Sequence, residues 1–246
     1  FGTVSNVLNA SEDELHMSKA DMLLSKMTLR EKIGQMLFIQ PESLRIETED
    51  GQVKADTSSV TEFTEAMAKT LEEYPPGGII IFGGNIESPD QLKELVNDIK
   101  ADSRIPLFMG IDEEGGMVAR IANSPGFNVK KFESMQKIGS TKDPKNAEEA
   151  GKVIGEYLRD YGFNLDFAPV ADVNTNPENI VIGSRAFGDD PQLVAEMVSA
   201  GIGGLHSSNV MSCIKHFPGH GDTKDDTHAG FVSIDKNWEE LEACEL

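Results

Sequence analysis

The sequence of 246 residues predicts an α/β fold in which helices cover both faces of a parallel β-sheet. Short apolar runs lie between turn residues, longer segments between them have helical periodicity, and the two kinds of segment alternate along the chain. Strict alternation of this kind is typical of repeated βαβ units. Such units either close into a barrel or form an open doubly wound sheet, and periodicity does not distinguish the two.

Five apolar runs are interpreted as buried parallel strands, because each is too short for a helix and each lies between turn signals. They are Met36–Gln40, Ile79–Phe82, Leu107–Ile111, Leu165–Val170 and Val210–Lys215.

The helices between these strands are predicted from their N-caps. The proposed caps, in chain order, are Thr28, Ser59, Ser88, Asn146 and Asp190. Each of the first two is followed by Glu three residues later, which is the capping-box pattern. Proline follows Ser88 directly, and proline is favoured at the first helical position.

Composition indicates one soluble globular domain and limits its partners. The chain is long enough to bury a core of its own, and 39% of its residues are apolar. Its 42 acidic and 22 basic residues leave a formal charge of −20, which would repel a phosphate backbone. No apolar run approaches the roughly 18 residues that read as a membrane-spanning helix. We therefore expect neither a nucleic-acid partner nor a membrane-spanning segment.

The first 17 residues are polar and resemble neither a signal peptide nor a membrane anchor, so they are predicted to be an N-terminal extension. Because the chain starts without Met, an upstream signal could have been removed. A cytoplasmic location and an exported or cell-surface location both remain open. Cys213 and Cys244 are too few for a disulfide framework, and we expect both to be free thiols.

A nucleotide-binding open sheet would carry a G-x-G-x-x-G motif after its first strand. The first predicted strand instead runs into Pro41-Glu42-Ser43-Leu44. A partial match at residues 201–204 falls at the end of a helix, which is the wrong place.

Polar side chains collect where the predicted strands end. Asp112, Asp172 and the Lys215-His216 pair each close a strand, and Arg185 lies in the loop after the fourth strand. In a barrel these loops converge on one mouth, where catalytic residues are found.

Each of these residues has a structural alternative. Asp112 could sit in a solvated acidic turn or accept two sugar hydroxyl protons. Asp172 is interpreted as a cap of its own loop backbone. Lys215 could pair with Asp172 or Asp112, or could donate with His216 to sugar hydroxyls. Arg185 could form a loop salt bridge or fix a substrate oxygen.

The segment after the fifth strand holds three histidines, but a metal site is not predicted. His216 and His220 are separated by Pro and Gly, which prevent the helix that an H-x-x-x-H zinc pair requires. His220 is interpreted as a loop brace and His206 as a helix-end or surface residue.

Asp226 and His228 are two residues apart. In an extended loop they point the same way, so the carboxylate could fix the tautomer of the imidazole and stabilise its protonated form. Such a histidine could act as a general acid near neutral pH, or the pair could simply brace the loop.

Together these residues carry a resemblance to a known family. KHFPGHGDTKDDTH, GIDEEGG, SRAFGDDP, GGIIIFGGN and MTLREKIGQML resemble segments of glycoside hydrolase family 3, in its β-N-acetylglucosaminidase (β-hexosaminidase) branch. The resemblance covers about residues 27–246, and the long loop with Asp226 and His228 is unusual even within the family.

The resemblance implies a (β/α)₈ TIM-type barrel, of which this chain covers about the first five units. Residues 18–246 would then be a catalytic barrel domain that is incomplete at its C-terminal end. It implies that His228 is the general acid/base and that Asp226 is its partner. It further implies that N-acetylglucosamine binds to the positions of Asp112, Arg185, Lys215 and His216, with no metal or organic cofactor.

The family's nucleophile is an aspartate after a later strand, and no aspartate of this chain matches it. We therefore expect a C-terminal segment, or a partner, that completes the barrel. The implied function is a retaining exo-β-N-acetylglucosaminidase that acts on cell-wall muropeptides or chitin-derived oligosaccharides. The alternatives are a β-N-acetylglucosaminide phosphorylase with the same histidine, and an inactive fragment or sugar-binding domain that lacks the nucleophile.

Overall fold

A parallel sheet of five strands forms the centre of the structure, a computed structural model that describes residues 18–49, 52–55, 58–224 and 230–246. In chain order the strands are β1 (Phe38–Ile39), β2 (Ile46–Glu49), β3 (Gln52–Ala55), β4 (Gly78–Ile81), β5 (Phe108–Ile111), β6 (Glu113–Gly115), β7 (Val118–Ala119), β8 (Leu165–Asp166) and β9 (Met211–Ser212). The sheet has the order β1-β4-β5-β8-β9, and all its neighbours are parallel. The prediction of five parallel strands is confirmed.

Four of these strands are shorter than predicted: the first is only Phe38–Ile39, and the third begins at Phe108 instead of Leu107. The fourth ends at Asp166 instead of Val170, and the fifth is only Met211–Ser212. Pro169 has no backbone N–H, so it interrupts the ladder. Pairing resumes beyond it as an isolated parallel bridge between Val170 and Lys215.

Two antiparallel hairpins, β2–β3 and β6–β7, were not predicted. The second turns at Gly115 and Gly116, whose φ angles of 87° and 67° lie in the region that favours glycine. A hairpin therefore follows β5 where the sequence suggested a solvated acidic turn, and it begins directly after Asp112.

The helices are α1 (Lys19–Lys26), α2 (Leu29–Gly34), α3 (Glu65–Glu73), α4 (Pro89–Asp102), α5 (Met135–Gly139), α6 (Pro144–Asp160), α7 (Pro191–Ser207) and α8 (Trp238–Glu242), with short 3₁₀ turns at Pro41–Leu44, Gly83–Asn85 and Gly183–Arg185. Three predicted caps are confirmed, at Thr28 for α2, Ser88 for α4 and Asp190 for α7. In α2 both hydrogen bonds of the capping box form.

Two predicted caps are wrong. Helix α3 is capped by Thr64 instead of Ser59, because the backbone of Val60 is held by remote side chains outside the helix. The Val60 amide donates to Glu42 and its carbonyl accepts from Asn85. Helix α6 is capped by Asp143 instead of Asn146, with proline at its first position.

Helices α6 and α7 pack closely through glycines. A Cβ atom on Gly151 would lie 2.2 Å from the carbonyl oxygen of Gly201, and one on Gly204 would lie 2.1 Å from that of Glu148. These contacts fix α7, which follows the loop that carries Asp172 and Arg185, against α6.

The sheet is open in the described part of the chain, with β1 and β9 at its edges. The edge residues Phe38 and Met211 are each 42% exposed, whereas Ile79 and Met109 of the inner strands are fully buried. An apolar surface therefore remains uncovered along both edge strands.

Candidate active site

The carboxyl ends of the parallel strands bring together four of the residues singled out in the sequence. Asp112 follows β5, Arg185 lies in the loop after β8, and Lys215 and His216 follow β9. Hydrogen bonds and ion pairs link them into one cluster. Asp226 and His228 lie outside the described residues.

Glu114 is the centre of this cluster, although the sequence patterns did not single it out. Its side chain is 1% exposed and accepts hydrogen bonds from Nε and Nη2 of Arg185, each at 2.8 Å. The Nζ atom of Lys215 lies 2.6 Å from Oε1 of the same carboxylate. Two cations thus share one buried carboxylate, which is the arrangement that a buried charge requires.

Alternation in an extended strand explains why Glu114 joins Asp112. Residues two apart in a strand point to the same face, so both side chains reach the pocket while Glu113 points away. The Asp112 carboxylate accepts from Nζ of Lys215 at 2.8 Å. The predicted alternative that Lys215 pairs with Asp112 is therefore correct, and Glu114 is an additional partner.

Arg120 is a second residue that the sequence analysis missed. The β6–β7 hairpin returns it to the pocket, where Nη2 lies 3.5 Å from Oδ2 of Asp112. Its guanidinium also lies over the ring of Phe82, 5.9 Å from the ring centroid. The register of the hairpin places Arg120 opposite Asp112, and no sequence pattern indicated this residue because the hairpin was not predicted.

Asp172 holds His216 in place. Its Oδ2 atom lies 2.6 Å from Nδ1 of His216, and its Oδ1 atom accepts from the backbone amides of His216 and His220. Burial alone would raise the pKa of Asp172, but these hydrogen bonds outweigh it and lower the pKa. Asp172 is thus a loop cap, but of the loop after β9 instead of its own loop, and it also sets the orientation of the imidazole.

The pocket side of His216 is its Nε2 atom, which lies 3.3 Å from Nη2 of Arg185. The side chain of His216 is 34% exposed, whereas that of Asp172 is fully buried. The imidazole is therefore fixed at Nδ1, while its Nε2 edge faces Arg185 at the partly exposed mouth of the pocket.

The segment that leads from His216 towards Asp226 is braced on the loop after β8. Asn179 donates to the carbonyl oxygen of His220 at 2.7 Å, and Thr175 donates to Asp222 at 2.9 Å. His220 also contacts the hydroxyl of Thr223. His220 is thus a buried loop brace, as the sequence suggested.

The remaining candidate residues lie away from this cluster. His206 is in the last turn of α7, with its Nε2 atom 3.2 Å from the hydroxyl of Ser212. Cys213 and Cys244 are both free thiols. In the part of the chain that the structure describes, no group of three His, Cys, Asp or Glu side chains is arranged to hold a metal ion. Likewise, none of the helices described above is long and apolar enough to cross a bilayer.

The cluster offers fixed hydrogen-bond groups to a small polar ligand. Asp112 is a pure acceptor, and Lys215 and Arg120 are donors with capacity left for a ligand. Arg185 already uses Nε and Nη2 on Glu114 and Nη1 on the carbonyl of Val181. Its main contribution is therefore to hold Glu114, with less capacity left for a substrate oxygen than the sequence suggested.

Comparison with known proteins identifies relatives for nearly the whole described chain. Residues 28–246 match the family model for the N-terminal domain of glycosyl hydrolase family 3. β-Hexosaminidase A of Pseudoalteromonas piscicida is 34% identical over 197 residues, which cover 77% of this chain and 32% of that protein. A β-hexosaminidase of Tolumonas auensis is 35% identical over 188 residues, covering 74% of this chain and 54% of that protein.

Solved structures of the same family are similar to this chain. A glycoside hydrolase family 3 β-N-acetylglucosaminidase from Paenibacillus sp. str. FPU-7 superposes with a TM-score of 0.77 at 32% identity, covering 89% of this chain and 38% of that one. NagZ from Neisseria gonorrhoeae, solved in complex with N-trifluoroacetyl-D-glucosamine, gives a TM-score of 0.71 at 29% identity over 85% of this chain and 57% of that one. The open parallel sheet is thus part of a TIM-barrel-like α/β fold, and the chain spans about a third to a little over half of these relatives.

Proposed function

The chain belongs to glycosyl hydrolase family 3, and from that premise we propose that the full-length protein is a retaining exo-β-N-acetylglucosaminidase. The observation that carries this proposal is the cluster of Asp112, Arg120 and Lys215 at the strand ends, which presents one acceptor and two cationic donors to a polar ligand. The similar solved structure named a β-N-acetylglucosaminidase supports a sugar that bears an N-acetyl group.

In this proposal Asp112 accepts hydrogen bonds from two adjacent hydroxyls of the terminal sugar. Lys215 and Arg120 donate to the same hydroxyl oxygens, and Nε2 of His216 contacts a further hydroxyl. Arg185 contributes chiefly by holding Glu114, which in turn fixes Lys215. Charged partners of this kind strengthen hydrogen bonds to a neutral sugar and define its orientation.

We propose that His228 is the general acid/base and that Asp226 fixes its tautomer. The support is their spacing of two residues and the braced segment from His220 to Thr223 that precedes them. A histidine protonates the leaving-group oxygen and then removes a proton from water in the second displacement. The usual separation rule for two carboxylates does not apply to such a pair.

The nucleophile is assigned to a part of the protein beyond this sequence. We propose that residues 18–246 belong to the catalytic barrel domain and that further β/α units complete it along the open edges at β1 and β9. The uncovered side chains of Phe38 and Met211 support this arrangement, because apolar sheet edges of this kind are normally covered. Suitable substrates are cell-wall muropeptides or chitin-derived oligosaccharides with a terminal β-linked N-acetylglucosamine.

The test is hydrolysis of 4-nitrophenyl β-N-acetylglucosaminide by the full-length gene product, with and without phosphate. We expect free N-acetylglucosamine as product and a loss of about 10²- to 10⁴-fold in His228→Ala, the usual contribution of a general acid/base. His206→Ala is the matched control, because His206 lies on the surface at the end of α7. Formation of N-acetylglucosamine 1-phosphate would identify a phosphorylase, and no turnover by the wild type would contradict an enzymatic function.

A further inference from the structure

Two fully buried carboxyl groups lie directly behind the pocket and have no part in the proposed reaction. Glu113 and Asp166 each have 0% exposure. Glu113 is the residue between Asp112 and Glu114, and Asp166 is its neighbour on the adjacent strand β8. Buried acids are costly, so their retention behind a polar pocket calls for a physical explanation.

Glu113 holds the end of the β6–β7 hairpin. Its Oε2 atom accepts from the amide of Ile121, and its Oε1 atom accepts from the amide of Ala122, both at 2.8 Å. The hydroxyl of Tyr157 on α6 also donates to Oε1 at 2.8 Å. Both carboxylate oxygens therefore act as acceptors, and the two amides belong to the residues that follow Arg120.

Asp166 holds the backbone of Glu113 from the neighbouring strand β8. Its Oδ1 atom accepts from the backbone amide of Glu113 at 3.0 Å, which anchors the strand between Asp112 and Glu114 to β8. Its Oδ2 atom makes no hydrogen bond to the described residues, and the side chain borders a cavity of about 20 Å³.

Burial at this position disfavours the ionised form of the carboxyl group. Burial raises the pKa of Asp166 well above its ordinary value. The negative charges of Glu113 and Asp112 act in the same direction, while the Glu113 amide and the charge of Lys215 oppose them. Burial also raises the pKa of Glu113, against the hydrogen bonds that it accepts.

We propose that Glu113 and Asp166 are positioning residues of the sugar pocket: Asp166 fixes the strand that presents Asp112 and Glu114, and Glu113 fixes the hairpin that returns Arg120 to Asp112. This inference rests on the proposed function, since it assigns the two buried acids to the same sugar-binding site. The pocket thus has a second layer of carboxyl groups that contacts no substrate.

The inference predicts separable effects on binding and on chemistry. In Glu113→Gln one acceptor oxygen becomes an NH₂ group that must face a backbone N–H, so the end of the hairpin shifts and Arg120 moves away from Asp112. We expect KM to rise about tenfold with kcat changed less than about threefold, the pattern of lost ground-state binding. Tyr157→Phe is the matched control, because it removes one of the three hydrogen bonds and leaves both backbone amides held.

Asp166 offers a second, independent test. Asp166→Asn keeps a carbonyl oxygen for the Glu113 amide and is neutral, so its KM should stay within about twofold of the wild type, whereas Asp166→Leu loses the acceptor and should raise KM about as much as Glu113→Gln. Rescue by Asn but not by Leu distinguishes positioning from simple filling of space. This pair decides the question alone if Glu113→Gln does not fold.

The full-length variants are assayed with 4-nitrophenyl β-N-acetylglucosaminide, and amide hydrogen exchange is followed in the peptide covering residues 118–123. Loss of exchange protection in Glu113→Gln together with a raised KM supports the inference. Lost protection with an unchanged KM, or equal KM values for the Asn and Leu variants, overturns it. If the wild type shows no turnover, the proposed function fails, whereas unchanged exchange in Glu113→Gln would refute the positioning role independently.

Discussion

Replacing Arg185 by Met should destabilise the fold strongly, because it removes two of the three hydrogen bonds that neutralise Glu114. The Glu114 side chain is 1% exposed, and its Arg185 partner is 11% exposed, so solvent cannot replace the lost contacts. Met retains an apolar stem of similar length, which limits the loss of packing.

The size of this loss in stability depends on the contacts that Glu114 keeps in the Arg185→Met variant. Removal of one partner from a buried ion pair costs about 3–5 kcal/mol when the other charge is left without compensation. Here Lys215 still contacts Glu114 at 2.6 Å, which favours the lower end of that range. The Val181 carbonyl also loses its hydrogen bond from Arg185, worth about 1 kcal/mol. We therefore expect a loss of about 3–4 kcal/mol in the free energy of unfolding.

Urea unfolding of the full-length protein measures this loss, with two spectroscopic probes to establish that the transition is two-state. Arg30→Met is the control. The side chains of Arg30 and Glu73 are 59% and 61% exposed with 3.5 Å between their charged atoms, so this variant should lose less than about 0.5 kcal/mol. A loss of less than about 1 kcal/mol in Arg185→Met would instead show that Glu114 does not depend on Arg185.

Three further predictions concern the loop cap, the helix contact and a helix terminus. Asp172→Asn should lower the free energy of unfolding at neutral pH. Because the pKa of Asp172 is lowered in the folded protein, its ionised form stabilises the fold until the pH falls through that pKa. In urea unfolding, the free energies of the variant and the wild type should therefore converge in acid. Gly151→Ala should lose about 1–3 kcal/mol in thermal unfolding, since its new Cβ would lie 2.2 Å from the Gly201 carbonyl oxygen. Gly203→Ala, with no atom within 4 Å of its Cβ position, should be neutral or stabilising. Thr28→Ala should cost about 1 kcal/mol in the same assay by removing a capping box.

The strands and helix starts could be predicted from the sequence where local chemistry determines them. Apolar runs between turn residues define buried strands, and Ser88 followed by proline defines a helix start. Ser59 carries the same capping-box pattern as Thr28, with Glu three residues later, yet no helix begins there. Its neighbour Val60 is held by Glu42 and Asn85, which are remote in sequence, and such tertiary contacts override a local signal.

The residues of the pocket could be predicted only in part, because some of them are brought there by structure that the sequence patterns do not show. Asp112, Lys215 and Arg185 stand out because each follows a strand, and the structure places them in one cluster. Glu114 and Arg120 belong to that cluster through a hairpin of very short strands, which no periodicity reveals. A charged residue two positions after a strand-end acid was the available signal, since such neighbours share a face.

The ion-pair cluster has a consequence for the conditions under which the pocket binds. Its carboxylates Asp112, Glu114 and Asp172 are matched by the cations of Arg120, Arg185 and Lys215, although the chain as a whole carries a formal charge of −20. A locally neutral pocket gives an uncharged sugar no long-range attraction or repulsion for salt to screen. Sugar affinity should therefore vary little with ionic strength, even on so acidic a protein.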